Sequence, residues 1–147
     1  MKKTKSINYF STDFENKFLA DYNFDITNIN QESNTFNTII CYHILEHIND
    51  DDKAMDELYR VLKTGGQIYI QTPFKEGDIY ENKSIVSPEE KLKHFGQEDH
   101  VRVYSIEGLK NRLQNHGFKV LKMTFNEQPN DIFLGFKSPE TILIATK

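Results

Sequence analysis

The densest chemistry in the chain is His43, Glu46 and His47, which spell His-x-x-Glu-His. In one class of zinc hydrolase that spacing lets two imidazoles bind the metal while the carboxylate activates water. Such use needs a sustained helix, because only helical spacing sets the two rings on one face. Here the apolar run Phe36-Asn-Thr-Ile-Ile-Cys-Tyr42 precedes the motif and Asn49-Asp50-Asp51-Asp52 follows at once. Spacing supplies no third ligand, so the expectation is no structural or catalytic zinc, with a zinc hydrolase as the remote alternative. His100, Arg102 and Tyr104 alternate with Val101 and Val103, which puts the three polar side chains on one face of an extended segment. They read either as binding residues or as a solvated edge strand. Cys41 is the one cysteine and sits inside an apolar run, where it reads as a small buried hydrophobe rather than a reactive thiol.

Elements must hold these residues. Residues 7–12 read as a short strand closed by Asp13, and residues 22–27 as a weaker strand containing Asp25. The apolar density of Thr38–Tyr42 predicts a central strand buried on both faces, flanked by 7–12 and 67–72 or by whatever replaces an absent strand. Ala54, Leu58 and Leu62 recur at four-residue spacing beside Met55 and Tyr59, which predicts a helix over Asp51–Lys63. Asp50, Asp51 and Asp52 read as electrostatic complements to its N-terminus, Arg60 and Lys63 to its C-terminus, and Asp56–Arg60 as an i,i+4 pair. Gly65-Gly66 is the expected stop.

Gln67–Thr72 is the next strand, ended by Pro73. The long stretch from Phe74 to Tyr104 contains one short helix, signalled by Ser87-Pro88-Glu89-Glu90 and closed by Gly96. Another helix starts after Ser105, carries Ile106, Leu109 and Leu113 on one face and stops at Gly117. Two strands follow near Phe118–Phe125 and Thr141–Thr146, joined by a Pro- and Asn-containing connection. Alternating buried strands and amphipathic helices predict a mostly parallel α/β sheet finished by an antiparallel pair.

The chain has 147 residues, enough for the single domain expected over 1–147. A net charge of −4, with one basic cluster at Lys2, Lys3 and Lys5, argues against nucleic acid as a partner. No apolar run reaches the ~18 residues of a membrane span, and the polar N-terminus lacks a signal-peptide core, so the expected compartment is the cytoplasm.

Phe36–Ile48, with its Leu45-Glu46-His47, then Asp50–Asp52, then Glu57-Leu-Tyr-Arg-Val-Leu-Lys-Thr-Gly-Gly66 resembles the fourth strand and following helix of class I S-adenosylmethionine-dependent methyltransferases. Those enzymes carry Arg-Val-Leu-Lys-Pro-Gly-Gly, and Thr64 stands here for the proline. The resemblance implies a Rossmann-like fold and methyl transfer to a small-molecule acceptor. It implies that Asp13 holds the cofactor ribose, that Asp25 and Ile26 meet the adenine, and that Tyr42 and His43 border the methionine portion. His47 and His100 are then the candidate catalytic bases, with Arg102 and Tyr104 binding the acceptor.

The family's first strand and Gly-x-Gly-x-Gly loop should precede residue 7, yet the first glycine is Gly65. Only glycine lets backbone approach the cofactor that closely. The chain is therefore expected to be a fragment or a shortened relative whose S-adenosylmethionine binding is weak or lost. The non-enzymatic alternative is a binding or assembly module of the same ancestry. The gap would be closed by direct pairing of the chain's own strands, by a strand from a second copy, or by one from a partner chain.

Overall fold

The computed structural model describes residues 7–14, 20–126 and 139–147. Among them run β1 (Phe36–Tyr42), a 3-10 turn (Leu45–His47), α1 (Asp51–Val61), β2 (Leu62–Gln71), β3 (Phe74–Lys75), β4 (Tyr80–Glu81) and α2 (Pro88–Phe95). β5 (Arg102–Ser105), α3 (Ile106–Asn115), β6 (Lys119–Phe125) and β7 (Glu140–Thr146) complete the order. Lys2, Lys3, Lys5 and the connection between the last two strands lie outside the described residues.

The main sheet has the order β1-β2-β7-β6. The α1 crossover makes β1 and β2 parallel, while β7 runs antiparallel to both β2 and β6. The sheet expected to be mostly parallel is thus mixed over the described strands, and its antiparallel finish is as expected. A smaller sheet, β3-β5-β4, stands apart from it. The core joins Ala54, Met55, Leu58 and Val61 of α1 and Leu109 and Leu113 of α3 to Ile68, Ile70, Leu143 and Ala145 of the sheet. Among the described residues, no helix is long and apolar enough to cross a membrane.

Three expectations change. β1 is an edge strand: no described strand pairs with its second side, and Ile40 is 65% exposed. Residues 7–12 do not form the flanking strand; Thr12 alone makes an isolated parallel bridge to Tyr22. Apolar density signals a strand whose surroundings are apolar, and it cannot say whether this chain's own residues cover both faces. Finally, α1 stops at Val61, because Leu62 turns extended (ψ 136°) and opens β2 opposite Phe36. The glycines act later. A Cβ on Gly66 would lie 2.8 Å from the Lys63 carbonyl oxygen and 2.9 Å from that of Asn37, so Gly66 permits the close approach of β1 and β2.

The helix caps follow the sequence. Ser87 accepts from Glu90 N at the start of α2, with Gly96 left-handed at its end (φ 90°). Ser105 accepts from Gly108 N at 3.1 Å to start α3.

Candidate active site

β1 ends where Tyr42 and His43 emerge exposed, and His43 takes a left-handed conformation (φ 53°) that turns the chain sharply into Leu45–His47. The turn folds Glu46 inward until it is 1% exposed, with Oε1 3.2 Å from His43 Nδ1. Val101 N donates to the Glu46 carbonyl at 2.9 Å, which pins the segment entering β5 against the turn. His100 is thereby buried beside His47, their rings perpendicular with centroids 4.5 Å apart. His100 Nδ1 lies 3.2 Å from the Phe95 carbonyl at the end of α2, and His47 Nδ1 lies 2.9 Å from Asp99 Oδ2. Both partners only accept, so each Nδ1 carries a proton, and in a singly protonated ring the lone pair then lies at Nε2. Two atoms here are buried without a hydrogen-bond partner, Glu46 Oε2 and His100 Nε2. Each such atom costs about 1–3 kcal/mol.

Arg102 and Tyr104, expected to bind an acceptor, lie on the other side of this turn. Their shared face points inward, and β5 is the middle strand of the small sheet, so the alternation marks neither a solvated edge nor an open binding surface. Arg102 donates to the carbonyls of Leu45, Ile48 and Asn49, closing the turn, and its Nε meets Glu81 at 3.0 Å. Asp51 is the centre of the group. It accepts from the Tyr104 hydroxyl at 2.5 Å and from Arg112 at 2.6 Å, and pairs with Arg102 at 3.4 Å. Burial and then the Asp51 charge push the Tyr104 phenol up. Burial alone would lower Arg112, but its bonds to Glu81 and Asp51 outweigh that and hold it raised. The acidic triplet therefore does more than complement the helix end. Asp50 caps α1 through Lys53 N, Asp51 anchors the buried group, and Asp52 joins Asp56 in gripping His116 at 3.1 and 2.7 Å.

Arg60 corrects a further expectation: its partner is Glu57, at 2.6 Å, rather than Asp56. The pair clamps the segment before β1, Glu57 Oε2 accepting from Ile29 N and Arg60 donating to the carbonyls of Ile29 and Gln31. Cys41 is buried, and burial followed by the Glu46 charge pushes its thiol up to about 12, in line with an inert core residue.

Asp13 and Asp25 lie on the clamped N-terminal segment, away from the β1–β5 cluster in sequence. The parallel bridge Thr12–Tyr22 gives the two stretches one direction, so the carboxylates that follow it sit towards the same end. Both are exposed. Asp25 Oδ1 accepts from Thr27 N and Oγ1, each at 2.8 Å, a self-closed turn. Ile26 packs against the core.

A family model described as a methyltransferase domain matches residues 4–123. The chain belongs to the methyltransferase-domain family. Its Rossmann-like fold recurs in solved structures. A SAM-dependent methyltransferase of Thermotoga maritima aligns with a TM-score of 0.57 at 20% identity, over 83% of this chain and 61% of that one. Phosphoethanolamine N-methyltransferase 2 of Haemonchus contortus aligns with a TM-score of 0.55 at 18% identity, over 84% and 36%. The cyclase SpnF gives a TM-score of 0.60 at 17% identity, over 86% and 56%. This methyltransferase domain thus spans between about a third and three-fifths of those chains. Among curated proteins none matches. S-adenosylmethionine is the cofactor that goes with the family. No glycine precedes Gly65 to floor the methionine half.

Proposed function

We propose that this methyltransferase domain takes part in S-adenosylmethionine-dependent methyl transfer to a small protic acceptor. Family membership over residues 4–123 carries the reading. The cofactor, when bound, supplies an electrophilic methyl group. Asp13 would accept from the ribose hydroxyls, and Asp25 with the backbone of Ile26 would meet the adenine. Tyr42 and His43, exposed at the end of β1, would border the methionine portion. The acceptor would lose its proton close to His47 and His100, with Arg102 and Tyr104 acting from behind by holding the turn that presents them.

Calorimetric titration with S-adenosylmethionine tests the reading. Weak binding is expected, falling about tenfold or more in Asp13→Ala and Asp25→Ala, each losing charge-assisted hydrogen bonds. Folded protein with no heat of binding, or unchanged affinity in both variants, overturns it.

The open edge of β1 and the exposed Ile40 favour a second reading, an assembly module completed by a strand from another chain. Mass in solution separates the two: a catalytically silent module associates and gives no cofactor heat.

A further inference from the structure

The Glu46–His47–His100 cluster has a second use that methyl transfer as such does not require. We propose that these three residues bind one divalent transition-metal ion, with zinc as its simplest occupant. One ligand atom from each lies within 4.8 Å of the other two. Two ligand-type atoms of these residues, Glu46 Oε2 and His100 Nε2, are buried with no hydrogen-bond partner and so are free to take an ion. Both residues are more than nine-tenths buried, at 1% and 3% exposure.

Three features go beyond proximity. The first is protonation: Asp99 holds the proton on His47 Nδ1 and the Phe95 carbonyl holds it on His100 Nδ1, so both Nε2 lone pairs are available. Metal-binding histidines carry this same arrangement, an oxygen acceptor on the far nitrogen fixing ring and tautomer. The second is the donor set. Two imidazoles and one carboxylate make the His2Glu set of catalytic zinc and the facial triad of non-haem iron, both of which keep open positions. The third is access. His47 keeps 29% of its side chain open beside the exposed His43, so an ion and an exchangeable ligand can enter from the β1 end. Metal–ligand bonds of about 2.0–2.1 Å place donors about 3.4 Å apart, so binding draws the three atoms together by side-chain rotation.

The geometry also explains why spacing hid the site. The third ligand comes from beyond α2, brought in by the Val101–Glu46 backbone bond and by Arg102 closing the turn. A bound ion would acidify a hydroxyl or amine placed on it, giving the acceptor-activating role of this cluster a specific means. That role rests on the methyl-transfer reading; metal binding does not.

The test is titration of the chelator-dialysed chain with Zn2+, without S-adenosylmethionine, followed by calorimetry, and with Co2+, followed by its visible absorption. We expect one ion per chain, on the order of 100-fold weaker binding in His47→Gln and in Glu46→Gln, and about tenfold weaker binding in Asp99→Asn. His116→Gln, which removes the exposed His116–Asp52–Asp56 group, leaves the affinity unchanged. Circular dichroism shows which variants are folded, and His47, partly open, is the safest position to change. The proposal fails if the folded wild-type chain takes up no zinc and gives no Co2+ spectrum. It also fails if folded His47→Gln binds like wild type, or if His116→Gln alone abolishes binding. Zinc uptake without cofactor heat refutes only methyl transfer; cofactor heat without zinc uptake refutes only the metal site.

Discussion

Two buried polar groups lie back to back around Leu45–Asp51, and they are wired in opposite ways. In the group centred on Asp51, the carboxylate meets a phenol and two guanidinium groups, Glu81 accepts from both guanidinium groups, and three backbone carbonyls accept from Arg102. In the group centred on Glu46, two atoms are left without partners inside the protein. Fully satisfied buried charges hold a fold together and have no vacancy for a ligand. Buried acceptors without partners are a cost that folding alone does not explain. Arg102 belongs to the first group in chemistry and serves the second in position, because it fixes the turn that presents Glu46 and His47.

The largest effect should come from Asp51→Ala, which leaves the buried Tyr104 hydroxyl unpaired, takes one carboxylate from both Arg102 and Arg112, and makes the satisfied group resemble its neighbour. A loss of about 3–5 kcal/mol in urea unfolding is expected, and a loss below about 1 kcal/mol would erase the distinction. Tyr104→Phe removes one hydroxyl from the same carboxylate and should cost about 1–2 kcal/mol by the same assay. Glu46→Gln sharpens the contrast from the other side. In metal-free protein it neutralises a buried carboxylate with a vacant oxygen, so stability should stay within about 1 kcal/mol of wild type or rise.

The smallest effect concerns His116. Its burial opposes protonation, but Asp56 and Asp52 outweigh that and hold its pKa raised in the folded state. A raised folded value makes the contribution complete below the ordinary histidine value of about 6.5 and removes it as pH climbs through the folded value. Stability should therefore decline as pH rises above about 6.5, and His116→Gln should flatten that slope by a few tenths of a kcal/mol. An unchanged slope would mean that Asp52 and Asp56 do not grip the ring in solution.

The helices, their caps and the antiparallel finish were legible because they depend on residues within one or two turns of each other. Ser87, Ser105 and Gly96 do locally what their types imply. The site was legible in part. His43, His47 and His100 could be named, yet Glu46 was read only as part of a motif and Asp99 was missed. Their significance depends on a contact between Glu46 and Val101, far apart in sequence. The alternation gave Arg102 and Tyr104 one shared face of β5, but a period of two cannot tell an inward face from an outward one, and His100, before the strand, joins a different group. Arg102 is buried against expectation because three backbone carbonyls and two carboxylates satisfy it.

The unpaired side of β1 leaves a signature that can be read one amide at a time. Along a strand, successive N–H groups point to opposite sides. From Thr38 to Tyr42, where the pairing with β2 is regular, every second amide is locked against β2, while the one between faces outward with no described strand to meet it. In deuterated water β1 should therefore exchange in a slow-fast alternation. β2, held between β1 and β7 over Gln67–Ile70, should be slow at every residue there. Any strand that came to lie along β1 would turn its alternating trace into the uniform one of β2.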